Sequence, residues 1–315
     1  MLPLKIARKE RVARDICRFE LVPLDDSPDG PLLPAFTAGA HVTVETPSGA
    51  MRRYSLCQDP AQRDRYVIAV KREAEGRGGS AAMHDDTREG QILPVSAPEN
   101  EFALVAAPSY LLIAGGIGIT PILSMARVLS REGKPFALIY CSRSAEEAAF
   151  LEELASDAVA GAVTLHHDGG DPERRYDFWD HVAEPSDAHV YCCGPKALMD
   201  EVRDMTGHWR PSAVHFEDFK PVEVVKPDDR PFSVTLARSG RVVAVPADRT
   251  ILEALREAGI RAPSSCESGT CGSCKTGLVS GAVEHRDSVL MAEERPGQVM
   301  ICVSRAASGD LVLDL

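Results

Sequence analysis

The pattern of apolar and polar positions divides the chain into three blocks. Residues 1–106 carry short β-like runs separated by turns rich in proline, glycine and aspartate, which predicts an antiparallel sheet or barrel. From about residue 107 to 219, short apolar strands alternate with helices, which predicts a parallel sheet with helices on both faces. The third block begins near residue 231 and contains a cysteine-rich loop.

The third block has the element order of a small β-grasp-like α+β domain. A hairpin at 232–245 precedes a helix that begins with Thr250 and Glu253, the pair of a capping box. Period-two alternation around Cys302 predicts that this residue lies on the penultimate strand. The strand-like runs after the loop cover residues 277–284, 299–304 and 311–315.

The stretch before this block is rich in proline and charged residues, which indicates a linker. The chain is therefore predicted to be multidomain. The predicted parts are an antiparallel β-barrel at 1–106, an α/β parallel-sheet domain at 107–222, a linker at 223–230 and a β-grasp-like α+β domain at 231–315.

Four cysteines carry the strongest chemical signal. They follow the pattern C-x4-C-x2-C with a fourth cysteine far along the chain, the ligand spacing of a plant-type [2Fe–2S] cluster. A structural zinc site and disulfide bonds are the alternatives; zinc sites usually pair two C-x2-C knuckles, and disulfides belong to oxidising compartments. The four candidate ligands are Cys266, Cys271, Cys274 and Cys302.

Composition narrows the class of protein. The net charge is −12, which argues against non-specific binding to nucleic acid. No apolar stretch approaches the ~20 residues that a membrane-spanning helix needs. The nine cysteines make an odd number and no signal-peptide pattern precedes them, so we expect a cytoplasmic protein. We also expect a monomer in isolation.

Two glycine-containing turns follow strands of the middle block. Gly115, Gly116 and Gly118, with Thr120 and Pro121, lie between the first strand and its helix, where backbone N–H groups can approach a pyrophosphate. The tripeptide Cys193-Gly194-Pro195 follows a later strand in the same way, where glycine would let a flat ring lie against the backbone. Each turn alone is also compatible with an ordinary tight connection.

The first block contains a candidate flavin site. Arg52 and Tyr54 share one face of a predicted strand, so the guanidinium can hold a phosphate while the ring covers an aromatic ligand. A glycine loop ending in Ser80 offers a second anion site, with Ser80 expected to cap a helix from Ala81. The alternative for Arg52 and Tyr54 is an exposed ladder of side chains on the strand. The alternative for the glycine loop is an ordinary loop without a ligand. Further candidates are Arg53, Ser55, Val70, Lys71, Gly78 and Gly79.

Taken together, these motifs resemble the phthalate dioxygenase reductase family, which includes vanillate O-demethylase reductases. The resemblance covers essentially the whole chain: R-x-Y-S at 52–55, G-G-S at 78–80, G-G-x-G-x-T-P at 115–121, C-G-P at 193–195 and the four cysteines. It implies that Phe219 contacts the flavin and that the C-G-P turn lies beside the nicotinamide. Arg53, at the variable position of its motif, is expected to share the flavin phosphate.

The resemblance also implies the cofactors. A cluster domain placed last implies FMN rather than FAD, and NADH is the expected donor, although Ser142 and Arg143 near the end of the second strand leave NADPH open. The implied function is the reductase component of a Rieske-type aromatic oxygenase or O-demethylase: NADH reduces FMN, and electrons pass singly through the cluster to the oxygenase. No catalytic acid or base is nominated. A redox sensor or cluster carrier and a stand-alone NADH:acceptor reductase are the alternatives.

Overall fold

Six antiparallel strands and one helix make up the first part of the chain. The computed structural model describes residues 1–25, 30–73, 78–155, 159, 162–219, 226, 228–264, 269, 272–287 and 289–315. The sheet order is β4-β3-β6-β1-β2-β5, and a bridge between Leu56 and Ile68 joins its two ends, so the predicted barrel is confirmed. Its elements are β1 (Leu2–Ala13), β2 (Ile16–Val22), β3 (His41–Glu45), β4 (Met51–Ser55), β5 (Tyr66–Lys71), α1 (Gly79–Asp85) and β6 (Ile92–Val95).

The start of α1 differs from the expectation. Gly78, not Ser80, is the N-cap, and the helix begins two residues earlier than predicted. Gly78 adopts a left-handed φ of 78°, which glycine tolerates without steric cost, so the chain turns into the helix there. The Ser80 hydroxyl instead accepts a hydrogen bond from the backbone N–H of Glu73 at 3.1 Å.

Five parallel strands form the second sheet, in the order β11-β10-β7-β8-β9. Strands β8 and β9 extend the sheet on one side of β7, whereas β10 and β11 extend it on the other. The carboxyl ends of β7 and β10 therefore flank the switch point where ligands of open α/β sheets bind. The elements are β7 (Tyr110–Gly115), α2 (Ile119–Arg131), β8 (Phe136–Ser142), α3 (Leu151–Leu154), β9 (Val163–His167), α4 (Trp179–Val182), β10 (His189–Cys193), α5 (Lys196–Met205) and β11 (Val214–Glu217).

The barrel and the parallel sheet belong to one compact unit, Met1–Phe219. Helix α2 binds the loop that leaves the barrel after β4: the Ser124 hydroxyl donates to the carbonyl of Gln58 at 2.8 Å, and Arg127 Nη1 donates to that of Cys57 at 2.8 Å. These bonds satisfy loop carbonyls that would otherwise be buried without partners. They hold the first turns of α2 against the barrel.

The second compact unit is Lys220–Leu315. Its sheet has the order β13-β12-β16-β14-β15, with α6 packed against β13, and the predicted β-grasp-like fold is confirmed. The capping box of Thr250 and Glu253 is also present. The elements are β12 (Phe232–Leu236), β13 (Val242–Val245), α6 (Ile251–Glu257), β14 (Lys275–Glu284), β15 (Gln298–Met300) and β16 (Arg305–Leu313). The finer domain boundaries at 106 and 222 stay predictions.

Cys302 does not lie on a strand, so that expectation is wrong. The N–H groups of Val303 and Ser304 both bond to the carbonyl of Met300, which forms a turn between β15 and β16. Strands β15 and β16 lie on opposite sides of β14, so the chain must leave the sheet between them. Residues 300–304 are all buried, which removes the alternation that a strand with one exposed face would show.

No helix within the described ranges is both long and apolar enough to cross a lipid bilayer.

The capping box of α6 gives a direct test of this fold. Thr250→Ala removes the side chain that accepts from Glu253 N at 3.0 Å, so we expect a loss of about 1 kcal/mol. Hydrogen exchange measured by mass spectrometry should show about fivefold faster exchange across α6. Ser280→Ala, at an exposed position of β14, is the control and should leave α6 unchanged. Equal exchange in the two variants would contradict the assigned cap.

Candidate cofactor sites

Arg52 and the start of α1 form one corner of the barrel. A Cβ placed on Gly79 would lie 2.8 Å from Arg52 Nε, so the guanidinium lies directly over the glycine. Arg52 Nη1 donates to the carbonyl of Met51 at 2.7 Å. The structure thus brings together the two motifs that the sequence nominated for a phosphate, Arg52 and Gly78–Ser80. A guanidinium beside a helix start is an arrangement that suits a phosphate.

Next to this corner, two hydroxyl groups are buried without a hydrogen-bond partner. They are Tyr54 Oη and Ser55 Oγ, on consecutive residues of β4. Burial raises the pKa of the Tyr54 hydroxyl, so it remains protonated and can donate. Buried polar groups are nearly always paired, and these two therefore fit a polar ligand such as a flavin ring.

Arg53 lies on the other face of β4 from Arg52. Its Nε donates to His41 Nε2 at 2.7 Å, and its Nη2 pairs with Glu101 at 2.8 Å. The structure therefore does not bring Arg53 to the Arg52 corner. Val70 and Lys71 end β5, where the Val70 carbonyl contacts His84 Nε2 of α1 at 2.8 Å. Phe219 is the last residue of the first unit and is 41% exposed.

The glycine turn after β7 packs backbone to backbone against the turn after β10. A Cβ on Gly118 would lie 2.2 Å from the carbonyl oxygen of Cys193, and one on Gly194 would lie 2.9 Å from the Cα of Gly115. Any other residue at these positions would separate the two turns. Gly116, by contrast, has a left-handed φ of 53° and open space where a Cβ would be. Thr120 closes the turn by donating to the Ile117 carbonyl at 3.0 Å, and Pro121 continues α2.

Pro195 and Cys193 border this crevice. Pro195 is the N-cap of α5, and its ring lies within 2.7 Å of where a Gly115 Cβ would be. Cys193 is fully buried, and burial raises the pKa of its thiol well above the ordinary value, so it stays neutral. The turns after β7 and β10 thus meet through their backbones, and we call the space above them, at the carboxyl ends of the two strands, the crevice. Dinucleotides bind at this position in open α/β sheets.

Ser142 and Arg143 follow β8 at the same edge of the sheet. The Ser142 hydroxyl contacts His167 Nδ1 at 2.8 Å and is nearly buried, whereas Arg143 is exposed. The backbone of Gly169 donates to the Arg143 carbonyl at 2.9 Å, which fixes the loop after β9 beside it. The position suits the ribose end of a nucleotide that extends from the crevice.

Two of the four candidate cluster ligands lie within the described residues. The Cys274 and Cys302 sulfur atoms are 2.9 Å apart, and both residues are buried. This separation exceeds the S–S bond of about 2.05 Å, so the pair is not a disulfide. Gly269 and Gly272 adopt left-handed φ values beside them. Cys266 and Cys271 lie outside the described residues. Paired buried sulfurs beside a glycine loop fit an iron–sulfur cluster.

Comparison with known proteins places this geometry in a family. Residues 234–307 match the Fer2 family, described as a 2Fe-2S iron-sulfur cluster binding domain. The chain is 56% identical over 315 residues to the phthalate 4,5-dioxygenase oxygenase reductase subunit of Pseudomonas putida, covering 99% of this chain and 96% of that one. A solved structure of phthalate dioxygenase reductase superposes with a TM-score of 0.87 at 55% identity, covering 100% of this chain and 98% of that one.

The chain belongs to the phthalate dioxygenase reductase family. A vanillate O-demethylase oxidoreductase from Pseudomonas putida is also similar, at 40% identity over 322 residues and the full length of both chains.

The predicted fold class and activity are confirmed by this membership. The protein is an NADH-dependent flavin iron–sulfur oxidoreductase, the reductase component of an oxygenase system. FMN, NADH and a [2Fe–2S] cluster are its cofactors, as the sequence predicted. An oxygenase is its partner protein. The individual cofactor-binding residues remain to be assigned.

Glu217 is a site residue that the sequence reasoning did not nominate. It ends β11 directly beside Cys193 of β10, and its Oε2 is buried without a hydrogen-bond partner. Burial raises its pKa to about 8, while Arg53 opposes the shift and Glu101 adds to it. Glu217 lies two positions before Phe219, the one residue of this segment for which the resemblance implies a cofactor contact. Its burial arises from tertiary packing, which a strand pattern does not show.

Replacement of Gly118 tests the contact between the two turns. In Gly118→Ala the new methyl would overlap the Cys193 carbonyl, so we expect the free energy of unfolding to fall by about 2 kcal/mol and the Kd for NADH to rise. Urea unfolding followed by tryptophan fluorescence reports this, since Trp179 and Trp209 both lie in the same unit. Gly207→Ala is the matched control, because a Cβ there would meet its neighbours at an ordinary 3.5 Å. Equal stability of the two variants would contradict the contact.

Glu217 predicts a pH dependence of stability. The folded protein keeps the carboxyl proton up to a pH of about 8, whereas the unfolded chain releases it near the ordinary pKa of 4.5. Unfolding thus releases a proton between these values, and stability falls as pH rises from about 5 to 8. Glu217→Gln cannot titrate, so its advantage over the wild type should grow by on the order of 3 kcal/mol across that range. Urea unfolding at several pH values checks this; a constant difference would contradict it.

Proposed function

We propose that this reductase supplies electrons to a Rieske-type oxygenase or O-demethylase that acts on an aromatic acid. Two relatives are named for oxygenase systems that act on phthalate and vanillate, and both of these substrates are aromatic acids. The proposal rests on the combination of two kinds of site in one chain. The first unit contains both the Arg52 corner and the Gly118–Cys193 crevice. The second unit contains two buried thiols that lie side by side. We further propose a cytoplasmic monomer; the seven described cysteines form no disulfide, in keeping with a reducing compartment.

The barrel residues would hold FMN. Arg52 and the Gly78–Ser80 turn would bind the phosphate, while Tyr54 and Ser55 would donate their unpartnered hydroxyls to the ring system. Val70, Lys71 and Phe219 complete the proposed site, and Arg53 would act from the opposite face of β4. Bound FMN would supply the conversion between two-electron and one-electron transfer, a chemistry that amino-acid side chains lack.

The crevice between β7 and β10 would hold NADH. Gly115, Gly116 and Gly118 would place backbone N–H groups at the pyrophosphate, ahead of Thr120 and Pro121, and Cys193, Gly194 and Pro195 would border the nicotinamide. Ser142 and Arg143 would lie at the ribose end. Burial keeps the Cys193 thiol neutral and raises the pKa of the Glu217 carboxyl to about 8, so these two groups would leave the base of the crevice uncharged at neutral pH.

Cys266, Cys271, Cys274 and Cys302 would hold the [2Fe–2S] cluster, which passes one electron at a time. Cys274 and Cys302 contribute from the loop and from the turn after β15, and both are sealed from water by their burial.

The assignment of Cys302 as a cluster ligand predicts a variant that loses the cluster but keeps its flavin activity. Cys302→Ser removes a strong thiolate donor, so we expect iron and sulfide to fall by more than about tenfold and NADH-dependent reduction of cytochrome c to fall with them. The reduction of ferricyanide through the flavin should persist, since Cys302 lies in the other unit. Cys17→Ser, in the barrel, is the control and should retain both activities. Full iron content in Cys302→Ser would contradict the assignment.

Reconstitution tests the proposed partner. The purified reductase, NADH and a phthalate-type Rieske oxygenase are expected to consume oxygen and form a dihydroxylated product, with little product when the reductase is omitted. Rapid partner-independent turnover of a quinone with no product formation would instead favour a stand-alone acceptor reductase. Negligible NADH turnover with any acceptor would favour a redox sensor or cluster carrier.

A further inference from the structure

Three charged side chains are buried together in the Lys220–Leu315 unit. The side chains of Asp229, Arg286 and Arg305 are only 6%, 4% and 2% exposed. Charged groups are rarely buried unless they are paired, because removal from water is costly. We call this group the Asp229 cluster. It lies between the segment that enters the unit and the start of β16, next to the turn that carries Cys302.

Asp229 is the centre of the cluster. Its two carboxylate oxygens accept both terminal nitrogens of Arg286, at 2.8 and 2.5 Å, in the bidentate geometry that makes such pairs strong. Arg305 Nε lies 3.4 Å from the same carboxylate. The backbone N–H of Lys226 adds a fourth contact at 2.9 Å. These contacts lower the pKa of Asp229 to about 2, with the Arg286 hydrogen bonds as the largest cause, so the carboxylate is ionised at any ordinary pH.

Arg305 connects the cluster to three backbone segments. It donates to the carbonyls of Arg230 and Pro246, at 3.1 and 3.0 Å, and also to that of Arg249, which precedes α6. The first turn of α6 in turn donates from Leu252 N to the carbonyl of Ile301, next to Cys302, at 3.0 Å. Arg305 itself begins β16 immediately after the turn that carries Cys302. The guanidinium therefore fixes the C-terminal side of that turn.

Arg286 fixes the same turn through its backbone. Its N–H donates to the hydroxyl of the fully buried Ser304 at 3.2 Å, and that hydroxyl donates to Asp287 Oδ1 at 3.4 Å. A Cβ on Gly269, in the cysteine loop, would lie 3.2 Å from the Cα of Asp287 and 2.8 Å from Val303. The segment at Arg286 thus lies between the cysteine loop and the Cys302 turn.

The negative charge of this cluster comes from outside the matched domain. Arg286 and Arg305 lie within the Fer2 match at residues 234–307, whereas Asp229 precedes it. The part of the second unit that precedes the matched domain therefore supplies the counter-charge for two arginines in the cluster-binding fold. Glu284 also pairs with Arg286 at 2.6 Å but is 39% exposed, so it cannot replace the buried carboxylate.

We propose that Asp229 is a positioning residue for the [2Fe–2S] cluster: its carboxylate holds Arg286 and Arg305, which hold the turn that presents Cys302. The proposal rests on the function proposed above, in which Cys302 is a ligand. Without the carboxylate, two guanidinium groups would share one buried site, and their repulsion would be relieved by movement of the Cys302 turn.

The test compares two full-length holoprotein variants that remove one negative charge each from the same segment. Asp229→Asn is the test, and Asp228→Asn, at an exposed position, is the matched control. Release of iron to a chelator is timed at 4 °C, and the paramagnetic resonance spectrum of the dithionite-reduced cluster is recorded. Flavin content and NADH:ferricyanide activity serve as internal controls from the other unit.

We expect Asp229→Asn to release iron roughly tenfold faster, the size of loss typical when a group supporting a metal ligand is removed, and to shift the g-values. Asp228→Asn should match the wild type in both measurements. Wild-type iron release and an unchanged spectrum in Asp229→Asn would overturn the proposal. A wild type that binds no iron under anaerobic reconstitution would instead refute the proposed function itself.

Asp229→Glu is the second variant, for the case in which Asp229→Asn does not accumulate as folded protein. It keeps the charge but displaces it by one methylene, so we expect partial rescue: iron release about threefold faster than wild type and a smaller change in g-values. A wild-type rate and spectrum in Asp229→Glu, with Asp229→Asn unfolded, would overturn the proposal, since the residue would then serve folding alone.

Discussion

The contact between Gly118 and the carbonyl of Cys193 is the constraint on which the first unit depends. It lets the turns after β7 and β10 meet without an intervening side chain, and no other residue type fits at Gly118. Because the strand order changes direction between these strands, their meeting forms the base of a crevice at the carboxyl edge of the sheet. Bonds from α2 to the loop after β4 hold the barrel against the same sheet. The barrel and the parallel sheet thus form one compact unit.

Buried polar groups in this fold differ in whether they have hydrogen-bond partners. In the first unit, the hydroxyls of Tyr54 and Ser55 on the barrel and one oxygen of Glu217 on the parallel sheet are buried without partners. In the second unit, the buried carboxylate of Asp229 is surrounded by donors. Unsatisfied groups cost stability and are kept where a ligand will satisfy them, whereas a satisfied charged cluster fixes a backbone in place. The hydroxyls of Tyr54 and Ser55 are thus available to a ligand, whereas the contacts of Asp229 fix the backbone beside the Cys302 turn.

Much of this organisation was predictable from the sequence, since it is local. The glycine turns, the capping box at Thr250 and the strand–helix alternation each depend on residues close together in the chain. The failures arose where distant segments decide. Cys302 lies in a turn because β14 separates β15 from β16. The early start of α1 is the local exception, since it follows from the left-handed conformation of Gly78. The burial of Glu217 and the pairing of Asp229 with Arg286 and Arg305 likewise depend on contacts that no periodicity reveals.

The central claim is that one chain carries both a two-electron flavin and a one-electron iron–sulfur cluster in electronic contact. Anaerobic titration of the oxidised protein with NADH, followed by visible absorption and paramagnetic resonance, tests it most directly. The account predicts that about three reducing equivalents enter each chain, two at the flavin and one at the cluster, and that the cluster signal appears without any added mediator. Uptake of only two equivalents, with a cluster that dithionite reduces but NADH does not, would contradict it.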